Sequence, residues 1–251
     1  MNNTRHLRGK TAIITGASGG IGKALCCTLA AYGMNLVLAG RNRDRLEASR
    51  DQALKSAAAA GEEAACLICS GDLTDTDFED TLIRSCVEHF GGIDVLINCA
   101  GVAQHDAFED VTPEQFDRIM AANVRAPYFL CQKALPHLRR SDMATIINIC
   151  SVVAHKGYPQ QSVYAASKHA LLGLSKSLAN EVYRENIRVH VISPGAVYTD
   201  MIALARPDLT PEGMTLPEDI ADIAGFYLEH RKNDAVIDEI QVHRTGKEPF
   251  A

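Results

Sequence analysis

Tyr164 and Lys168 stand four residues apart in Tyr164-Ala165-Ala166-Ser167-Lys168, a spacing that puts both on one face of a helix. A phenol beside an ammonium is an acid/base pair. A free phenol titrates near pH ~10, so work at neutral pH needs roughly 4 kcal/mol of added preference for the phenolate. A neighbouring ammonium is a source of that preference. Surface Tyr–Lys pairs are common, so the pair needs company. Ser151 directly follows the strand-like run Thr145–Cys150, where its hydroxyl can polarise a carbonyl oxygen beside the phenol. Asn123, in Ala122-Asn123-Val124, interrupts a helical stretch near 113–138. An Asn there can hold a water that passes protons toward Lys168. The plainer readings are a strand-end cap for Ser151 and a helix irregularity associated with Pro127 for Asn123.

A second cluster lies near the start of the chain. The run Thr15-Gly16-Ala17-Ser18-Gly19-Gly20-Ile21-Gly22 joins a strand-like segment to a helical one. Glycines there let the chain turn sharply and let a pyrophosphate approach without a Cβ in the way. The helix that follows offers free N–H groups and its positive end to that anion. The spacing of Gly16, Gly20 and Gly22 is GxxxGxG rather than GxGxxG. The next strand-like segment ends in Leu38-Ala39-Gly40-Arg41-Asn42-Arg43. In a dinucleotide fold an acid at this point binds the ribose of NAD, whereas Arg favours the 2′-phosphate of NADP. Gly40 stands where the acid is expected and Arg41 follows. A guanidinium can grip a phosphate with two parallel charged hydrogen bonds, so Arg41 points to NADP over NAD, against the plainer reading that Arg41 and Arg43 open a solvated helix.

These residues need elements that bring them together. Strand-like segments run over Thr11–Thr15, Asn35–Ala39, Ala64–Cys69, Ile93–Asn98, Thr145–Cys150, Ile187–Ile192 and Val236–Val242. Helical stretches lie near 20–32, 43–60, 75–90, 113–138, 162–185 and 217–229. Unbroken apolar runs such as AIIT, LVLA and TIINI suit strands buried on both faces. Alternation of this kind predicts an α/β fold, a parallel sheet of about seven strands, doubly wound by right-handed crossovers and flanked by helices. Ligands in such folds bind beyond the carboxyl ends of the strands, where the residues above fall. No repeat, linker or charge block divides the 251 residues, so 1–251 is read as a single domain, with a substrate-loop region at about 196–217.

Composition narrows the partners. The 47% hydrophobic content excludes a disordered chain, and the net charge of −6 argues against nucleic acid, which needs a basic face. No run approaches the ~18 apolar residues of a membrane span. The start, MNNTRHLRGKTAIIT, does not read as a signal peptide. Most of the eight cysteines sit in apolar runs, where a thiol packs as a small hydrophobe. Cys66 and Cys69 have CxxC spacing but no second pair, so no metal site is expected. The reading is a protein of a reducing compartment, most simply the cytoplasm.

Together the motifs resemble the short-chain dehydrogenase/reductase family in its compact form. TGASGGIG is similar to the family's TGxxxGxG, and Asn98-Cys99-Ala100-Gly101 to its NNAG with one change. Asn123, Ser151, Tyr164 and Lys168 match its catalytic tetrad, and Pro194-Gly195 with Thr199 matches its PGxxxT. Asp72, in Gly71-Asp72-Leu73, matches the acid that meets the adenine. The resemblance runs from Lys10 to about Leu228. It implies a Rossmann-like sheet and hydride transfer between NAD(P) and a carbonyl or secondary alcohol. Tyr164 would be the acid/base, Ser151 would hold the carbonyl oxygen, Lys168 would tune Tyr164 and bind the ribose, and Asn123 would complete a proton relay. Cofactor contacts are implied for Gly16, Ser18, Gly20, Ile21, Gly22, Arg41, Asp72, Leu73, Asn98, Ala100 and Gly101. Tyr164, Lys168, Pro194, Gly195, Val197 and Thr199 complete the cofactor set, with Thr199 on the nicotinamide amide.

Three departures matter. Gly19 stands where many NADP-dependent relatives carry a basic residue, which leaves the NADP preference resting on Arg41. Cys99 replaces the second Asn of NNAG, while Asn98 keeps the polar role. The tail Val236–His243 lacks the glycine-rich close of 3-oxoacyl-carrier-protein reductases, which weakens the 3-oxoacyl thioester as an alternative substrate class. Met201, Ile202, Leu204 and Leu209 give the substrate loop an apolar cast, and Val153, His155, Tyr158 and Gln161 are candidates for the mouth. Competing readings are a catalytically silent dinucleotide-binding redox sensor and a methyltransferase, which has no need for Tyr164 and Lys168. A helix at 162–185 that is apolar or small around most of its circumference predicts a two-fold dimer, paired again into a tetramer as the resemblance implies.

Overall fold

The unbroken apolar runs become the strands of one sheet. In a computed structural model, which describes residues 4–199 and 210–247, they are β1 (Thr11–Thr15), β2 (Asn35–Gly40), β3 (Cys66–Ser70), β4 (Val95–Asn98), β5 (Thr145–Ile149), β6 (Arg188–Pro194) and β7 (Glu239–Val242). All pair in parallel, in the order β3-β2-β1-β4-β5-β6-β7. Successive side chains of a strand point to opposite faces. Ala12 and Ile14 therefore enter one core and Ile13 the other, as Leu36 and Leu38 divide from Val37 and Ala39.

The helices are α1 (Gly20–Ala31), α2 (Arg43–Ala59), α3 (Thr76–Phe90), α4 (Pro113–Met120), α5 (Ala126–Leu138), α6 (Ser162–Val182) and α7 (Pro217–Glu229). Leu25, Leu46 and Ile220 of α1, α2 and α7 pack on one face of the sheet. Leu82, Leu130 and Leu178 of α3, α5 and α6 pack on the other. This is the doubly wound Rossmann-like arrangement.

Several bounds differ from the sequence reading. The stretch expected as one helix over 113–138 is three pieces, because a π-helical turn, Ala121–Arg125, separates α4 from α5. Pro127 accounts for the break. It has no N–H to give the carbonyl four residues back, that of Asn123, and the ladder shifts so that Ala126 N–H reaches Ala121 O. β3 begins at Cys66 rather than Ala64, where pairing with Leu36 begins. β7 begins at Glu239, opposite Val191, and the preceding Val236 and Ile237 lie exposed. Cys66 and Cys69, three apart on a strand, face the two different cores, so the CxxC spacing brings no two thiols together. The apolar residues of the substrate loop, Met201 to Leu209, lie outside the described residues.

Candidate active site

The strand order reverses between β1 and β4, and the segments leaving these two strands part to form a cleft at their carboxyl ends. Gly16 leaves β1 with φ +67°, and a Cβ there would lie 2.8 Å from Ala100 Cα, just past β4. A residue with a side chain would therefore be strained and would push the two segments apart. A Cβ on Gly20 would lie 2.8 Å from Thr199 Cγ2, and one on Gly22 would run into the Gly16 carbonyl. The crossing is held by Thr15, whose Oγ1 accepts the N–H groups of Cys99 and Ala100 at 3.0 and 3.1 Å. The cleft encloses about 510 Å³ and runs from Arg41 to Ser151 and Tyr164. Its glycine-lined floor at the start of α1 fits a pyrophosphate.

One end is cationic. Arg41 lines it, and so does Arg45, from the first turn of α2. The sequence reading passed over Arg45. Its signal was available, since a residue three past the α2 N-cap Asn42 stays on the cleft side of the first turn. Gly40 leaves room that an acid would take, because a Cβ there would stand 3.0 Å from Ser18 Oγ. Asp72 is tied into its own turn, its Oδ1 accepting Thr74 N–H at 2.9 Å and the Thr74 hydroxyl at 2.8 Å. The Thr74 N–H, helped by its hydroxyl and by Arg41, holds the Asp72 carboxyl below its usual range.

The other end holds the acid/base pair. Tyr164 and Lys168 share a face of α6 and both line the cleft, with Lys168 Nζ 5.8 Å from the centre of the Tyr164 ring. Lys168 is buried, and its ammonium donates to Ile149 O at 3.0 Å. Ser151 follows β5 on the extended stretch before a 3₁₀ turn. Its Oγ donates to Pro194 O at 3.3 Å and accepts Val153 N–H at 3.3 Å. The strand-end cap and the cleft residue are thus the same serine. Cys99, beside these groups, is a packed thiol pushed up to about 12 by burial.

Two residues expected at the site do not line the cleft. Asn98 is buried, and its Nδ2 donates to Asn148 Oδ1 at 2.8 Å across the β4–β5 pair, with Asn148 Nδ2 donating on to Ser175 Oγ of α6. It ties two strands and the helix of Tyr164 together beneath the site. Asn123 is fully buried in the π turn. Its Oδ1 accepts Val102 N–H at 2.7 Å, while its Nδ2 donates to Val102 O at 2.9 Å and Ser167 Oγ at 3.0 Å. The side chain is fully engaged, but its own carbonyl is the one Pro127 leaves without a helical donor. The other expected catalytic and cofactor residues, from Gly16 through Thr199, all line the one cleft, whereas the mouth candidates Val153, His155, Tyr158 and Gln161 do not. His155 is exposed, and it pairs with Glu239 of β7 at 2.6 Å, where Glu239 also accepts from Ser193 at 2.7 Å.

Comparison with known proteins agrees with this geometry. The family model described as short chain dehydrogenase matches residues 10–210. A short-chain dehydrogenase/reductase, FrzI of Cladobotryum sp, is 36% identical over 248 residues, covering 91% of this chain and 92% of its own. Among solved structures, a metagenomic short-chain oxidoreductase in complex with NADP superimposes with TM-score 0.80 at 30% identity, over 96% of this chain and 99% of that one. An alcohol dehydrogenase from the archaeon Thermococcus sibiricus, complexed with 5-hydroxy-NADP, gives TM-score 0.83 at 25% identity, over 96% and 98%.

Proposed function

We propose, from the premise that this chain belongs to the short-chain dehydrogenase family, that it interconverts a carbonyl and a secondary alcohol with NADP in preference to NAD. The chain is an NAD(P)-binding oxidoreductase of that family acting on small molecules. Among the described residues no helix is long and apolar enough to cross a membrane.

The observation that carries the reading is the convergence of Ser151, Tyr164 and Lys168 on the cleft floored by Gly16, Gly20 and Gly22. The glycine turn and the first turn of α1 would hold the pyrophosphate, with Arg41 at the 2′-phosphate and Lys168 on the nicotinamide ribose. Bound there, the dinucleotide supplies or accepts the hydride. Tyr164 gives its phenolic proton to the carbonyl oxygen in reduction and takes it back in oxidation. Ser151 turns its hydroxyl from Pro194 O to the same oxygen, a positioned donor where negative charge develops. Lys168 favours the phenolate by its charge. Because the Asn123 side chain is committed to Val102 and Ser167, the relay water assigned to Asn123 is held by the carbonyl that Pro127 leaves free. A silent sensor would need Lys168 for the ribose but would have no use for Ser151 and Tyr164 beside it in the cleft.

A panel of ketones, hydroxy acids, sugars and steroids, followed by absorbance of the reduced nicotinamide, tests the reading. Turnover with NADPH exceeding that with NADH is the expected result. Dinucleotide binding with no turnover across the panel would favour the sensor.

A further inference from the structure

The helix that carries Tyr164 has no cap of its own. The N-cap residue of α6, Gln161, makes no side-chain bond to the helix, although the first N–H groups of any helix lack partners within it. The missing acceptor comes from 57 residues upstream in sequence, given by the positions of Gln104 and Gln161. Gln104 Oε1 accepts Val163 N–H at 2.9 Å and Tyr164 N–H at 3.3 Å. Both partners are donors, so the carbonyl oxygen must face the helix and the amide NH₂ must face away. That NH₂ is buried without a partner, in a side chain only 6% exposed. A polar side chain so placed is costly unless its oxygen is needed.

Gln104 also sits at the end of a segment with a second duty. Ala100, Gly101, Val102 and Ala103, just before it, line the cleft at its acid/base end. The segment is fixed twice more, by Asn123 on Val102 and by Asp106 N–H donating to Gln160 O at 3.1 Å. The backbone of Tyr164 is therefore bonded, through one side chain, to the loop that walls the dinucleotide cleft.

We infer that Gln104 is a positioning residue, whose side-chain carbonyl caps α6 and sets Tyr164 in register with the cleft wall. It touches neither substrate nor cofactor and acts through the backbone of Tyr164. This rests on Tyr164 being the acid/base, but the capping bond can be tested apart from activity.

Hydrogen exchange on the purified full chain reads the cap directly. Gln104→Met keeps length and apolar contact but removes the acceptor, and Gln104→Glu keeps two acceptor oxygens. Exchange at the Val163–Tyr164 amides should quicken about fivefold or more in Gln104→Met, the scale of a lost cap, and stay near wild type in Gln104→Glu. Equal exchange in all three proteins overturns the inference, whatever the activity. With the best ketone of the panel, Gln104→Met should lower kcat about tenfold or more, against about twofold or less in KM for NADPH, since only the acid's placement is lost. Gln104→Glu should recover kcat. A Gln104→Met protein with quickened exchange but unaltered kcat would show a cap without a positioning role and overturn that part. A wild type without turnover, yet with the exchange difference, would overturn the proposed function and leave the cap standing.

Discussion

At the scale of single residues, the site separates groups that touch the reaction from groups that hold them. Tyr164 is proposed for the first kind. Tyr164→Phe removes the proton and keeps the ring, so turnover should fall by at least about 10²-fold, while NADPH binding, followed by nucleotide fluorescence, changes far less. A variant with near-normal turnover would sink the assignment. Arg41 tests cofactor choice in the same way. Its proposed contact is with a phosphate that NADH lacks, so Arg41→Ala should raise KM for NADPH much more than KM for NADH. Arg45 lines the same end of the cleft, so some NADPH preference should persist in the single variant. Equal effects on both cofactors would make Arg41 a surface charge only. These touching residues were legible in the sequence because their types are dictated by chemistry at fixed offsets from strands and helices. Gln104 was not legible. Its partners are backbone N–H groups, which carry no residue identity, and they lie on an element far along the chain.

At the scale of elements, what could be read was periodicity and what could not was pairing. The strands and their faces follow from runs such as AIIT, in which alternate residues enter the two cores. The π turn had only an oblique signal, Pro127, which marks a broken ladder without saying how it is repaired. The second role of Asn98 had none, because it depends on which strand lies beside β4. In register with Asn148, Asn98 forms the first step of a buried amide chain leading to Ser175 on α6. Asn98→Ala would leave the Asn148 oxygen in the core without that donor. The penalty for such an orphaned group is about 1–3 kcal/mol, to be read as a lower urea midpoint at unchanged slope. Nucleotide affinity should change little, because Asn98 does not line the cleft. A loss of affinity without a loss of stability would return Asn98 to the cofactor-binding residues.

At the scale of the whole molecule, α6 is the element whose surface is left incomplete. It was expected to be apolar or small nearly all round, and the single chain buries only part of it. Val163, Leu171, Leu172 and Leu178 face inward, while Ala166, His169 and Gly173 line an exposed strip that turns polar at Lys176, Asn180 and Glu181. On α4 and α5, Phe116 and Tyr128 stand 45% and 49% exposed. Ala166 and Gly173, a little under two turns apart with His169 between them, let another helix approach closely, and exposed rings supply the area. We expect a two-fold dimer centred on the Ala166–Gly173 half of α6, since closed symmetry is the common solution for soluble oligomers. The sheet ends at β7 beside exposed Phe226, Val236 and Ile237, a second face on which dimers can pair into a tetramer. Gly173 offers a clean test, because a Cβ there meets nothing within 4 Å in the single chain. Gly173→Arg should therefore leave the fold intact by circular dichroism. In light scattering coupled to gel filtration it should lower the mass by splitting the α6 contact. A wild type that runs as a monomer at micromolar concentration overturns the assembly, and a wild-type dimer that Gly173→Arg leaves whole moves the contact away from α6.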